Sequence, residues 1–127
     1  MIEYDASIIS DIGGDSMLQI DGNNISLTRG DSAHLTVSII NGATGEEYEM
    51  QPNDTLLLTI RESAVALGQA LVQKVLTGSK DFYLTPDDTK ELRIRTYKYD
   101  VELRTGSDVY TIIQCSDFKL LPEVTTL

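Results

Sequence analysis

The stretch that most restricts the fold is Thr96-Tyr97-Lys98-Tyr99-Asp100-Val101-Glu102-Leu103. Tyr97, Tyr99, Val101 and Leu103 fall on one side of an extended chain, and Lys98, Asp100, Glu102 and Arg104 on the other. A period of two predicts a half-buried antiparallel strand. The run before it, Leu84-Thr85-Pro86-Asp87-Asp88-Thr89, predicts a short helical turn near 86–92. Thr85 can cap that turn through its hydroxyl, Pro86 has no N–H to lose at the first helical position, and Asp87 and Asp88 suit the positive helix end.

Similar alternation recurs along the chain. Met17 to Ile20 and Ile25 to Thr28 flank an Asp21-Gly22-Asn23-Asn24 turn and predict an opening hairpin. Arg29-Gly30-Asp31 turns the chain into a strand whose core face is Ala33, Leu35, Val37 and Ile39. This tripeptide also spells an integrin-binding motif, but a glycine turn before a strand explains it without a receptor. Asn41 to Pro52 carries turn signals around a short edge strand at Tyr48 to Met50. Thr55 to Glu62 alternates but adds Leu57, as a strand covered on both faces does. Ser63 to Gln69 reads as loop or helical turn, Leu71 to Leu76 and Phe82 to Leu84 as short strands, and Val109 to Leu120 as the last strand. The apolar phase of the last strand, Val109, Thr111, Ile113 and Cys115, shifts to Phe118 and Leu120 after Ser116-Asp117 and implies a bulge.

About seven or eight short strands separated by turns predict an all-β, antiparallel β-sandwich. Its length of 127 residues suits one domain, with roughly two-thirds of the unfolded surface buried on folding. We place the sandwich at 15–122, an N-terminal arm or linker at 1–14 and a C-terminal tail at 123–127. In immunoglobulin-like sandwiches a helical turn crosses between the sheets, and a tyrosine near the start of the next strand hydrogen-bonds back. Tyr97 is placed to do so, with Tyr99 next on the same face; alternatively both rings simply fill core. Thr85, Pro86, Tyr97 and Tyr99 are therefore the expected structural anchors.

Charge narrows function. Twenty acidic against ten basic residues give a net charge of −10, which disfavours nucleic acid and anionic membranes as partners. The local basic concentration is Arg93, Arg95 and Lys98, a solvated strand edge or a possible interaction surface. Cys115 is the sole cysteine, so no internal disulfide forms, and its phase suggests a small buried hydrophobe. His34, the only histidine, lies on the wet face of its strand, without a second ligand or catalytic partner. The carboxylates Asp87-Asp88, Glu46-Glu47 and Glu102 sit in turns or on wet faces, and no nucleophile, base and orienting group converge. Neither a Walker loop nor a dinucleotide fingerprint is present, and the Asp21 to Asn24 cluster lacks the ligand spacing of a calcium loop. No catalytic, cofactor-binding or metal-ligating residue is expected. The start lacks a secretion signal and no apolar stretch reaches membrane-span length, so synthesis in the cytoplasm is the expectation.

Several landmarks together resemble a family. Ile25 to Asp31, Asp54-Thr55 opening a strand that ends Ile60-Arg61-Glu62-Ser63, Leu71 to Lys74, Leu84 to Leu92, Tyr97 to Leu103 and Pro122-Glu123-Val124-Thr125 occur in order. They resemble the immunoglobulin-like module of phage tail and baseplate proteins, of the type at the N-terminus of upper baseplate proteins and in small prophage-encoded proteins. Where that pattern has a glycine and an aromatic, this chain has Arg93-Ile94-Arg95-Thr96. The resemblance implies a virion structural component docking other tail or baseplate proteins, with no cofactor and no catalysis, and a homo-oligomer if it acts alone. The alternative is a free-standing module that recognises a host-surface glycan or protein through its loops.

Overall fold

A computed structural model describes residues 4–10, 18–63 and 70–123. Two sheets face each other as a sandwich. The smaller contains β1 (Tyr4–Ser10), β4 (Ala33–Asn41) and β7 (Asp81–Leu84), in the order β1-β4-β7. The larger contains β2 (Leu18–Asp21), β3 (Asn24–Thr28), β5 (Thr55–Arg61), β6 (Val72–Thr77), β8 (Thr96–Thr105) and β9 (Asp108–Leu121), in the order β2-β3-β9-β8-β5-β6. One short helix, α1 (Pro86–Thr89), carries the chain from β7 in one sheet toward β8 in the other.

The alternating faces meet as their patterns dictate. Ala33, Leu35, Val37 and Ile39 of β4 are buried, as are Leu56, Leu58 and Ile60 of β5 and Tyr97, Tyr99, Val101 and Leu103 of β8. Phe82 and Leu84 of β7 and Phe118 and Leu120 of β9 fill the same core. On the outer side of β5, Thr59 is buried and Leu57 half-buried, so both faces of this strand are covered to some degree. Burial of these aliphatic and aromatic side chains, each contributing about 1.5–3 kcal/mol, dominates the favourable energy of folding.

The structure departs from the sequence reading at four places. Tyr4–Ser10, expected as part of an arm, is β1 and pairs along β4 from Tyr4↔Asn41 to Ser10↔Leu35, with Ala6 and Ile8 buried. The sheets are not wholly antiparallel, because β3 runs parallel to β9 from Ile25↔Phe118 to Thr28↔Leu121. Tyr48 to Met50 forms no strand, and only an isolated bridge joins Ile40 to Glu47. Cys115 is exposed rather than buried.

That last correction follows from β9 itself. Between the pairs Tyr99↔Ser116 and Val101↔Ile113, Asp100 alone stands opposite both Gln114 and Cys115. A second shift, between Val101 and Glu102, leaves Ile112 as another extra residue. Two bulges re-aim the strand, so Ile112 and Ile113 are both buried while Cys115 turns outward. The expected phase shift is thus real but lies before Ser116, not after it. The stretch at residues 64–69, read as loop or helical turn, lies outside the described residues, as do most of the expected tail and the end of the expected arm.

Candidate functional site

The sandwich has two ends of different chemistry. At one, α1 leads through Leu92 and the Arg93-Ile94-Arg95 loop into β8; at the other, the loop after β4 and the turn between β6 and β7 come together. β8 runs antiparallel to β5, with Lys98 opposite Arg61 and Arg104 opposite Thr55, which puts the two loop clusters at opposite ends of these strands.

The first end is stitched from residues distant in sequence. Arg29 donates through Nε to Glu123 Oε2 at 3.0 Å and through Nη2 to Oε1 at 2.5 Å, a bidentate pair, and through Nη1 to the Leu92 carbonyl at 3.0 Å. The hydrogen bond from Arg29, with its charge, holds the Glu123 carboxyl below its usual range, and that carboxylate raises the Arg29 guanidinium. Gly30, at φ 85, turns its N–H onto the hydroxyl of buried Thr89 at 2.8 Å. The Arg-Gly-Asp tripeptide therefore ties the β3–β4 turn to α1 and to the residues after β9. Glu123, read from sequence as the first residue of a tail, is its partner.

The anchors hold separate parts of the chain. Pro86 occupies the first turn of α1. The Thr85 N–H donates to Asp88 Oδ2 at 2.7 Å and the Thr85 hydroxyl donates to the same oxygen at 3.2 Å, so the carboxylate does most of the capping. Asp88 also receives Lys74 of β6 at 2.9 Å. Burial pushes the Asp88 carboxyl up, but the hydrogen bonds from Lys74 and the Thr85 N–H outweigh it and hold it below its usual range. The Tyr97 hydroxyl donates to the Arg93 carbonyl, four residues back, at 2.7 Å, which is the corner geometry expected of it. Tyr99 donates instead to the Asn23 carbonyl in the β2–β3 turn. Both rings also fill core, so the two readings of the tyrosines hold together.

The expected interaction residues are not equivalent. Arg95 pairs with Glu62 at 2.6 Å, donates to the Glu62 carbonyl at 3.2 Å, and lies 5.4 Å from the centre of the Tyr97 ring. Lys98 is bonded to Asp117 on neighbouring β9, and that bond raises its ammonium. Arg93 is exposed, and among the described residues its guanidinium has no hydrogen-bonding or ionic partner. Next to it, Ile94 stands 40% exposed. The structure thus leaves one free cation and one exposed apolar side chain from the basic stretch.

At the opposite end, buried Asp54 organises the loop. Its Oδ2 accepts the Gln51 N–H at 2.9 Å and the Tyr48 hydroxyl. Burial works to raise the Asp54 carboxyl, and bonds from Tyr48, Gln51 and Thr105 together hold it low. Lys80 spans to the Tyr48 carbonyl and to Glu47 at 3.3 Å. Between these segments is a shallow recess of about 480 Å³ lined by Thr36, Glu47, Glu49, Met50, Lys80 and Asp81. Sequence reasoning missed this recess, since its walls come from two loops whose meeting depends on the sheet order.

A smaller depression of about 140 Å³ lies over the outer face of β5, β8 and β9, among Thr59, Arg61, Lys98, Asp100 and Cys115. His34 packs edge-on against Tyr83, 4.3 Å between ring centres. Among the described residues, no three His, Cys, Asp or Glu side chains gather as metal ligands do, and no helix is long and apolar enough to cross a membrane. Comparison with protein-family models and with curated proteins finds no match.

Proposed function

We propose that this chain is a non-enzymatic structural protein of a phage or prophage, an assembly module of tail or baseplate type whose partners are other tail or baseplate proteins. One observation carries the reading. Among the residues through which the sequence resembles those modules, Arg29-Gly30, Asp54, Thr85 to Asp88, Tyr97 and Glu123 have side chains or turns that tie loops to sheets, and Ile25, Ile60, Val101 and Leu103 fill the core. A likeness carried by core and loop-tying residues is what a shared scaffold produces when its surface is adapted to different neighbours.

The loops favour assembly over recognition of a glycan or host protein. Among the described residues the exposed large aromatic is Tyr83, which lies on β7 against His34 rather than at a loop tip. Sugar and receptor sites rely on aromatic anchors, which these loops do not present. The test is induction of the host strain, purification of particles on a density gradient and detection of this chain by mass spectrometry. Co-migration with tail or baseplate proteins is expected; its consistent absence from particles overturns the reading.

A further inference from the structure

The two ends of the sandwich complement each other. Arg93 and Arg95 flank exposed Ile94 at one end, while at the other Glu47, Glu49 and Asp81 line a recess with the half-buried Met50, three carboxylates against the single ammonium of Lys80, which pairs with Glu47. Among the described residues the Glu49 carboxylate, like the Arg93 guanidinium, has no partner. Arg95 also reaches the Glu62 carbonyl and the Tyr97 ring, but its one ion pair, with Glu62, is exposed, a kind of contact that exchanges partners at little cost. In a chain of net charge −10, an unopposed cation beside an exposed isoleucine is out of keeping with the rest of the surface. The strands between the two ends span roughly 20 Å, too far for the knob to reach the recess of its own chain.

We infer that this chain assembles head to tail with further copies of itself, the Arg93-Ile94-Arg95 knob of one copy seating in the Glu47-Glu49-Asp81 recess of the next. Ile94 lies on Met50, and the arginines meet the carboxylates around it. Because knob and recess are different surfaces, the contact is heterologous, and repetition builds a ring or a filament instead of stopping at a dimer. The inference rests on the assembly reading above and names a partner for it.

Sedimentation velocity at low salt over a range of concentrations tests it, with the whole chain and with Arg93→Glu, Glu49→Arg and the two combined. The parent chain is expected to grow beyond dimer as concentration rises, and to dissociate in high salt. Either single change should raise the concentration needed for assembly by about tenfold. An equimolar mixture of the two single variants should recover assembly, since each knob then meets a recess of opposite charge, and so should the double variant. Recovery also shows that both singles are folded. A parent chain that stays monomeric, single variants that assemble like the parent, or a mixture that fails to recover overturns the inference. A monomer that still co-purifies with particles removes self-assembly and leaves the structural role standing; an assembling chain absent from particles does the reverse.

Discussion

Tyr97 and Tyr99 stand two residues apart on β8 and bond to carbonyls of residues that differ in exposure. The Arg93 carbonyl that Tyr97 reaches sits in an exposed loop, where water can replace the lost donor. The Asn23 carbonyl that Tyr99 reaches belongs to a half-buried residue of the β2–β3 turn, and Tyr99 itself is 2% exposed. Urea unfolding of Tyr97→Phe should therefore show a loss of about 1 kcal/mol or less, and Tyr99→Phe a larger one, about 1–3 kcal/mol, because its partner is left unpaired. Equal losses would mean that the two carbonyls are equally wet. Burial also pushes the Tyr99 phenol well above its ordinary value of 10.0. In the unfolded chain that phenol ionises first, so the stability tied to it is intact below pH 10 and falls as pH rises further. In an absorbance titration of the native protein the Tyr99 phenol should ionise only with unfolding, and Tyr99→Phe should remove that step.

At the scale of elements, the clearest case is α1, which has a single turn and cannot persist on propensity alone. Asp88 compensates by joining the Thr85 N–H on its own turn to Lys74 on β6, so the cap and the docking of the helix are one interaction. Asp88→Ala is expected to cost about 1–2 kcal/mol in thermal or urea unfolding, while Asp87→Ala, whose pair with Lys90 is largely exposed, should be nearly neutral. A matching loss from both would argue that helix-end charge, not the cap, is what matters. Such local devices were legible in sequence because their signals are short-range: a proline at the first turn, acids beside it, a strict alternation in β8. The parallel pairing of β3 with β9 has no turn signal, and the Arg29–Glu123 pair joins residues 94 positions apart. Cys115 was misplaced for a related reason. Alternation predicts a face only while the register is unbroken, and two bulges in β9 break it.

For the whole molecule, the deciding element is β1, which makes the smaller sheet three-stranded and places Ala6 and Ile8 in the core. Its sequence hid this, since a short polar and acidic segment beside a glycine pair carries the composition of a linker. The pairing is secured from both sides: β4 runs along it, and the Ile8 N–H donates to the Asn23 side chain at 3.1 Å, which brings the larger sheet's turn onto its backbone. Acid should test how far the tertiary bonds act together. Asp54, Asp88 and Glu123 all have folded values below those of the unfolded chain, so the stability they confer is present above the ordinary carboxylate range and lost as pH falls through their folded values. Asp100, raised by burial and by nearby Glu102, has the opposite sign and gains slightly on acidification. Three against one predicts a urea midpoint that declines below the carboxylate range, with a shallower decline in Asp54→Asn. The sharper test is Ile8→Ala. An isoleucine at 2% exposure in a filled core should cost about 2–5 kcal/mol when truncated, whereas on a dangling arm the same change costs nothing. A midpoint unchanged by that substitution would detach β1 from the sandwich and reduce the smaller sheet to β4 and β7.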